Sequence, residues 1–171
     1  TGRYKIFPVL GTAVMTLAFL LLSRMGPDTS TLEQSLYLFV LGAGIGLCMQ
    51  VLVLIVQNTV SFSDLGVATS GVSFFRTIGS SFGAAIFGSL FTNFLTGRIG
   101  PALAASGAPA QAAQSPKVLH QLPADMAAPI VTAYSDALAK VFLCAAPVAL
   151  LGFVVALFLR EVPLRQPEAM S

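Results

Sequence analysis

Charge is what this sequence has least of. Acidic and basic side chains make up 9% of the 171 residues, seven Asp or Glu against nine Lys or Arg, for a formal net charge of +2. So small an excess, with no basic cluster and no helix interleaving cations with aromatic rings, excludes nucleic acid as a partner. The two cysteines, Cys48 and Cys144, lie far apart in separate apolar runs and read as small buried hydrophobes rather than as a disulfide or a metal pair. The single histidine, His120, has no Cys, His or carboxylate at ligand spacing, so no metal and no cofactor is expected. No Ser/His, paired-Asp or HExxH arrangement lies in an apolar run, which argues against an intramembrane enzyme. The chain opens on Thr1 rather than Met, and no small-residue cleavage site follows its first apolar run. Neither a signal peptide nor an intact translation start is therefore expected, and the chain reads as a C-terminal fragment of something longer.

What the sequence does have is apolar length. Hydrophobic residues reach 56% of the chain and the mean hydropathy is +0.85, values that describe an all-α integral membrane protein. Four transmembrane helices are expected. Residues 1–5 form a cytoplasmic connector, helix I covers 6–24, a short extracellular loop 25–33, helix II 34–56, a cytoplasmic loop 57–65 and helix III 66–95. A long Ala/Pro-rich extracellular loop occupies 96–136, helix IV 137–159, and a charged cytoplasmic tail 160–171. Pro8 falls in the first turn of helix I, where a missing N–H costs nothing. Ser30 followed by Glu33 has capping-box spacing at the start of helix II. Ser63 or Asp64 can cap helix III, and Asp64 also complements the positive end of its dipole. Asp136 and Lys140 have the i, i+4 spacing of a helix-surface pair, and Pro147 predicts a kink in helix IV. Between 96 and 135, prolines 101, 109, 116, 123 and 129 predict a mobile loop without a long helix, although a short helix from Ala124 leading into helix IV fits the pattern.

Helix III carries the most information. Thirty residues at about 1.5 Å each reach roughly 45 Å, more than the hydrocarbon core of about 30 Å requires. Its middle has almost no side-chain bulk. Gly79, Gly83 and Gly88, with Ser80, Ser81, Ala84, Ala85 and Ser89 among them, form the small-xxx-small ladder of a helix built to pack inside a bundle. In helix II the run Gly42-Ala-Gly44-Ile-Gly46 lies inside an uninterrupted apolar stretch, so it reads as close helix contact at Gly42 and Gly46 rather than as a dinucleotide loop. Gln50 is the strongly polar side chain in the body of that helix, and an interhelical hydrogen bond outweighs substrate contact as its role. Arg76 admits two placements. Either the membrane begins near Thr77 and Arg76 stands at the headgroup boundary, or it begins near Gly66 and Arg76 lies roughly 15 Å deep and must pair inside the bundle or a cavity. The boundary reading is preferred. With both chain ends cytoplasmic, Arg3, Lys5, Arg76, Arg160 and Arg165 lie inside, against Arg24, Arg98, Lys117 and Lys140 outside, a slight positive-inside excess.

The run from Asp64 to Ser70, then Phe75-Arg76-Thr77-Ile78-Gly79 through Gly88, resembles the penultimate helix of the fourteen-span drug:proton antiporters of the major facilitator superfamily. Residues 42–46 look like the glycine-rich helix before it, and 134–142 with 161–165 look like the last helix and its exit. The resemblance implies four helices of the C-terminal bundle of a secondary transporter. It further implies export of drugs or other amphipathic, often cationic, molecules in exchange for protons across a bacterial plasma membrane, by rocking of two helix bundles around a central cavity. The implied partners are the remaining N-terminal helices of the same transporter, the lipid bilayer, the substrate and protons. Gln50 and Asn93 are then candidates for the substrate path, Arg76 and Asp64 structural or gating candidates, and Gly42, Gly46, Gly79, Gly83 and Gly88 packing residues. No Asp or Glu lies in the four expected helices, so these residues alone offer no embedded carboxylate relay. A self-contained four-helix membrane scaffold or assembly protein is the competing reading.

Overall fold

The computed structural model describes residues 5–159. Expectations for Arg3, for the rest of the N-terminal connector before Lys5, and for the tail with Arg160 and Arg165 lie outside the described residues. Five α-helices follow one another: α1 (Ile6–Leu22), α2 (Thr31–Thr59), α3 (Leu65–Ser106), α4 (Pro116–Gln121) and α5 (Ala124–Leu157). Short 3-10 turns at Phe62–Asp64 and Ala110–Ala113 fill two of the connections. Helix α1 packs between α2 and α5, and α5 in turn packs on α3, while α2 and α3 touch over a much smaller area.

Helix α1 has 17 residues, at the short end of what crosses a bilayer. Helices α2, α3 and α5 are each long and apolar enough to cross one. Helix α2 begins as the capping spacing predicts, with the Glu33 N–H donating to Ser30 Oγ at 3.2 Å. The Glu33 carboxylate does not complete the box; it accepts from the Tyr37 hydroxyl one turn on. At its other end α2 reaches α3 through a Gln57 Nε2 bond to Thr69 Oγ1 at 3.5 Å. Asp64 occupies the N-cap position of α3, yet its side chain caps nothing and accepts from the Ser61 hydroxyl instead.

The expected loop over 96–136 is where the structure departs furthest from the composition. Helix α3 runs on through Arg98 and Pro101 to Ser106, where Gly107 adopts a φ of 64° and returns its N–H to Leu103 O at 3.0 Å, a left-handed C-cap. Helix α5 is continuous from Ala124 through Pro129 and Pro147. Three of the prolines assist rather than interrupt: Pro109 and Pro123 are N-caps, and Pro116 is at the first position of α4. The other two, Pro101 and Pro129, each forfeit one helix hydrogen bond, and packing between α3 and α5 outweighs that loss. At 42 residues, α3 is about 63 Å long, roughly twice the hydrocarbon thickness, so part of it projects from the bilayer.

The seam between α3 and α5 is aromatic and charged. Phe91 meets Tyr134 at 6.2 Å between ring centroids, the Lys140 ammonium stands 5.6 Å from the Phe94 centroid, and Arg98 forms an ion pair with Asp136. The i, i+4 pairing of Asp136 with Lys140 is therefore corrected: both side chains turn to α3, Asp136 to Arg98 and Lys140 to the Phe94 ring. The Tyr134 hydroxyl donates to Ala113 O and ties the 3-10 turn to α5. The Arg98 and Asp136 side chains are 40% and 38% exposed, so the pair is expected to contribute about 1 kcal/mol or less. Reversing it, Arg98→Asp with Asp136→Arg, is expected to restore most of the thermal stability lost by either single change. A double variant no more stable than the sum of the two losses would show that the pair contributes nothing.

Candidate functional site

Among the described residues, two of the spaces between the long helices are strongly apolar. The smaller, about 300 Å³, lies between α1, α3 and α5 against Thr12, Met15, Phe19 and Phe87. Its polar group is spent, because Thr12 Oγ1 donates to Pro8 O at 2.7 Å and Val9 O at 3.1 Å. This is a gap in the packing with no group to orient a ligand.

The larger, about 680 Å³, opens where α2 and α3 diverge from their connector. Leu52, Val53 and Val56 form its α2 wall, and Val72, Phe75 and Arg76 its α3 wall. Both walls repeat at three- and four-residue intervals, so each is a single apolar helix face. Among the described residues, Arg76 is the one charged residue lining the groove, whose edge is Leu159. It stands eleven residues after Leu65, about 16 Å along the helix axis, opposite the apolar body of α2 rather than its polar end. Among the described residues no carboxylate pairs with it, whereas Arg98, farther along the same helix, has Asp136.

The other site candidates are dispersed. Gln50 and Asn93 are exposed and neither lines the groove. Asp64 sits on the connector below it. Among the described residues none of the five glycines singled out for packing makes close contact: a Cβ at Gly42, Gly46, Gly79, Gly83 or Gly88 would meet nothing within 4 Å. Helix α3 buries none of its residues, and 73–82 are exposed throughout. The glycines that do bring helices together are Gly11 and Gly44. A Cβ on Gly11 would stand 2.8 Å from Gly44 O and 2.5 Å from Cys48 Sγ, and one on Gly44 would stand 2.9 Å from Gly11 O. The signal was present as the spacing Gly44-xxx-Cys48 facing a lone glycine in α1, one register step from the pair the sequence suggested.

Helices this long and apolar, with a crossing built on glycine, make the chain part of a multi-pass membrane protein. Comparison with known proteins narrows that class. The chain is 66% identical over 164 residues to an uncharacterized MFS-type transporter of Mycobacterium tuberculosis, covering 96% of this chain and 24% of that protein. It is 32% identical to a multidrug transporter protein of Bacillus subtilis, over 94% of this chain and 35% of that one. It is 27% identical to the efflux pump aunC of Aspergillus niger, over 100% of this chain and 32% of the pump. The chain thus spans about a quarter to a third of the length of the curated relatives it matches. No protein-family model matches it, and no solved structure matches it significantly. The chain belongs to the major facilitator superfamily (MFS) of transporters, as a piece of one.

Proposed function

We propose that the transporter to which this chain belongs exports drugs or other amphipathic small molecules across a bacterial plasma membrane in exchange for protons. The observation that carries this reading is the alignment of 94% of the chain, at 32% identity, with a Bacillus subtilis protein named as a multidrug transporter. The bare face of α3 supports it. A helix with small residues on an unburied surface needs neighbours, and the remaining helices of the transporter would close on Gly79, Gly83 and Gly88. The same helices would cover Gly42 and Gly46 on α2. Both ends of the chain would lie on the cytoplasmic side, which puts the groove there too. The groove supports the deeper placement of Arg76, since a guanidinium level with Leu52 and Val53 lies below the polar connector. Proton carriage falls to the rest of the protein: Asp136, the carboxylate farthest along α5, is held by Arg98. Gln50 and Asn93 remain path candidates through the side that the missing helices would face.

The test uses the complete transporter in inside-out vesicles from a strain without its own exporters. Energised vesicles are expected to accumulate ethidium above vector controls and to lose it on addition of a protonophore. Gln50→Ala or Asn93→Ala is expected to raise KM several-fold for at least one transported compound. Failure to concentrate any of a panel of amphipathic dyes would overturn the exporter reading.

A further inference from the structure

We infer that the groove between α2 and α3 receives the acidic group of an amphipathic organic anion on Arg76, with the apolar body of the molecule against Leu52, Val56, Val72 and Phe75. This rests on the exporter reading and adds a substrate class to it: organic anions, beside the often cationic molecules that the family resemblance implies.

The argument is one of charge balance. Arg76 is exposed within this chain, but its guanidinium cannot shed its proton, and a charge beside apolar side chains within a bilayer needs a counter-charge or water. Every described carboxylate is elsewhere. Asp64 lies twelve residues before Arg76, about 18 Å along α3, and is bonded to Ser61. Asp136 is taken by Arg98, which stands 22 residues beyond Arg76, about 33 Å along the same helix. Glu33 is at the opposite end of α2 from the groove, bonded to Tyr37. Asp28 belongs to the α1–α2 connector at that same end, and Asp125 to the start of α5 beyond Asp136. Among the described residues, Arg76 is therefore a fixed positive charge without a carboxylate beside it, on a groove of about 680 Å³, within the size range that encloses a drug-sized ligand. A planar fork of donors beside apolar walls complements a carboxylate or sulfonate attached to an aryl or alkyl body. An organic cation in the same groove would face a like charge.

A matched pair of probes separates charge from shape: 8-anilinonaphthalene-1-sulfonate, and N-phenyl-1-naphthylamine, which keeps the ring skeleton without the sulfonate. In vesicles carrying the complete transporter, Arg76→Gln is expected to raise KM for the sulfonate roughly 10- to 100-fold and to leave that of the neutral amine unchanged. Arg76→Lys keeps the charge and loses the fork, so it should raise the sulfonate KM only a few-fold; if Arg76→Gln fails to assemble, this variant decides. Equal shifts for both probes, or none, would overturn the inference, because they would mean that Arg76 pairs with a carboxylate from the remaining helices or acts only in folding. Sulfonate binding that vanishes in phosphatidylglycerol nanodiscs but persists in phosphatidylcholine would also overturn it, by making a lipid headgroup the occupant. If neither probe nor ethidium is transported, the exporter reading has failed by itself. Equilibrium binding of the sulfonate to purified wild-type protein against Arg76→Gln still tests the anion site.

Discussion

Gly44→Leu is expected to cost about 1–3 kcal/mol, occasionally more. The Cβ that leucine would add stands 2.9 Å from Gly11 O and 3.0 Å from the Met15 N. Both are backbone atoms, so relief requires α1 to move bodily away from α2. That displacement would also loosen the buried Cys48, whose thiol lies 3.7 Å from Pro8 O. Gly44→Ala should be milder, because the gain in helix propensity of about 0.8–1 kcal/mol offsets part of the clash. Gly46→Ala is the control. Its Cβ would meet nothing within 4 Å in this chain, so the α1–α2 crossing should not feel it, and any loss it causes in the complete transporter reports the remaining helices closing on Gly46. Gly11→Ala and Gly44→Ala crowd the same crossing and should be strongly non-additive. Thermal unfolding of the purified transporter, followed by size-exclusion chromatography, reads all four. Unchanged stability in Gly44→Leu would remove Gly44 from the crossing.

Ile130→Ala is expected to destabilise by about 2–5 kcal/mol, the range for deleting a buried aliphatic side chain whose cavity cannot collapse. Ile130 is fully buried although it falls within the stretch whose composition reads as a mobile loop. The effect therefore reports whether the outer part of α5 belongs to the folded core. Neighbouring Ala133 and Ala137 are also buried, at 5% and 0% exposure, which leaves little room for rearrangement around the void. Tyr134→Phe should add a smaller loss of roughly 1 kcal/mol by releasing the hydrogen bond to Ala113 O. Unchanged stability and rapid amide exchange across 124–136 would instead make this stretch the loop that its prolines suggest.

The apolar helices were legible because hydropathy is a local property: runs such as 35–56 exclude water-exposed backbone wherever they lie. The Ser30 cap was legible for the same reason, its donor being three residues away. Arg76 was recognisable as an isolated charge, but its company was not. That it shares a groove with Leu52 and Val56, some twenty residues earlier, depends on how α2 and α3 diverge after the connector. The proline-rich stretch misled because a proline costs one hydrogen bond inside a helix and none at its start. Composition cannot distinguish Pro101 from Pro116. Asp136 was matched with Lys140 by spacing, whereas a residue 38 positions away in sequence, Arg98, holds it.

The sequence by itself determined that this chain lives in a membrane as helices and belongs with a larger assembly. Each residue's transfer free energy acts wherever the residue happens to be, and too little charge is present for any other solvent. Only the tertiary structure decided which glycines touch and, among the described residues, which arginine is paired with a carboxylate and which lines an apolar groove without one. Those outcomes depend on the rotational phase of one helix against another, and that phase is set by the shapes of residues far apart along the chain.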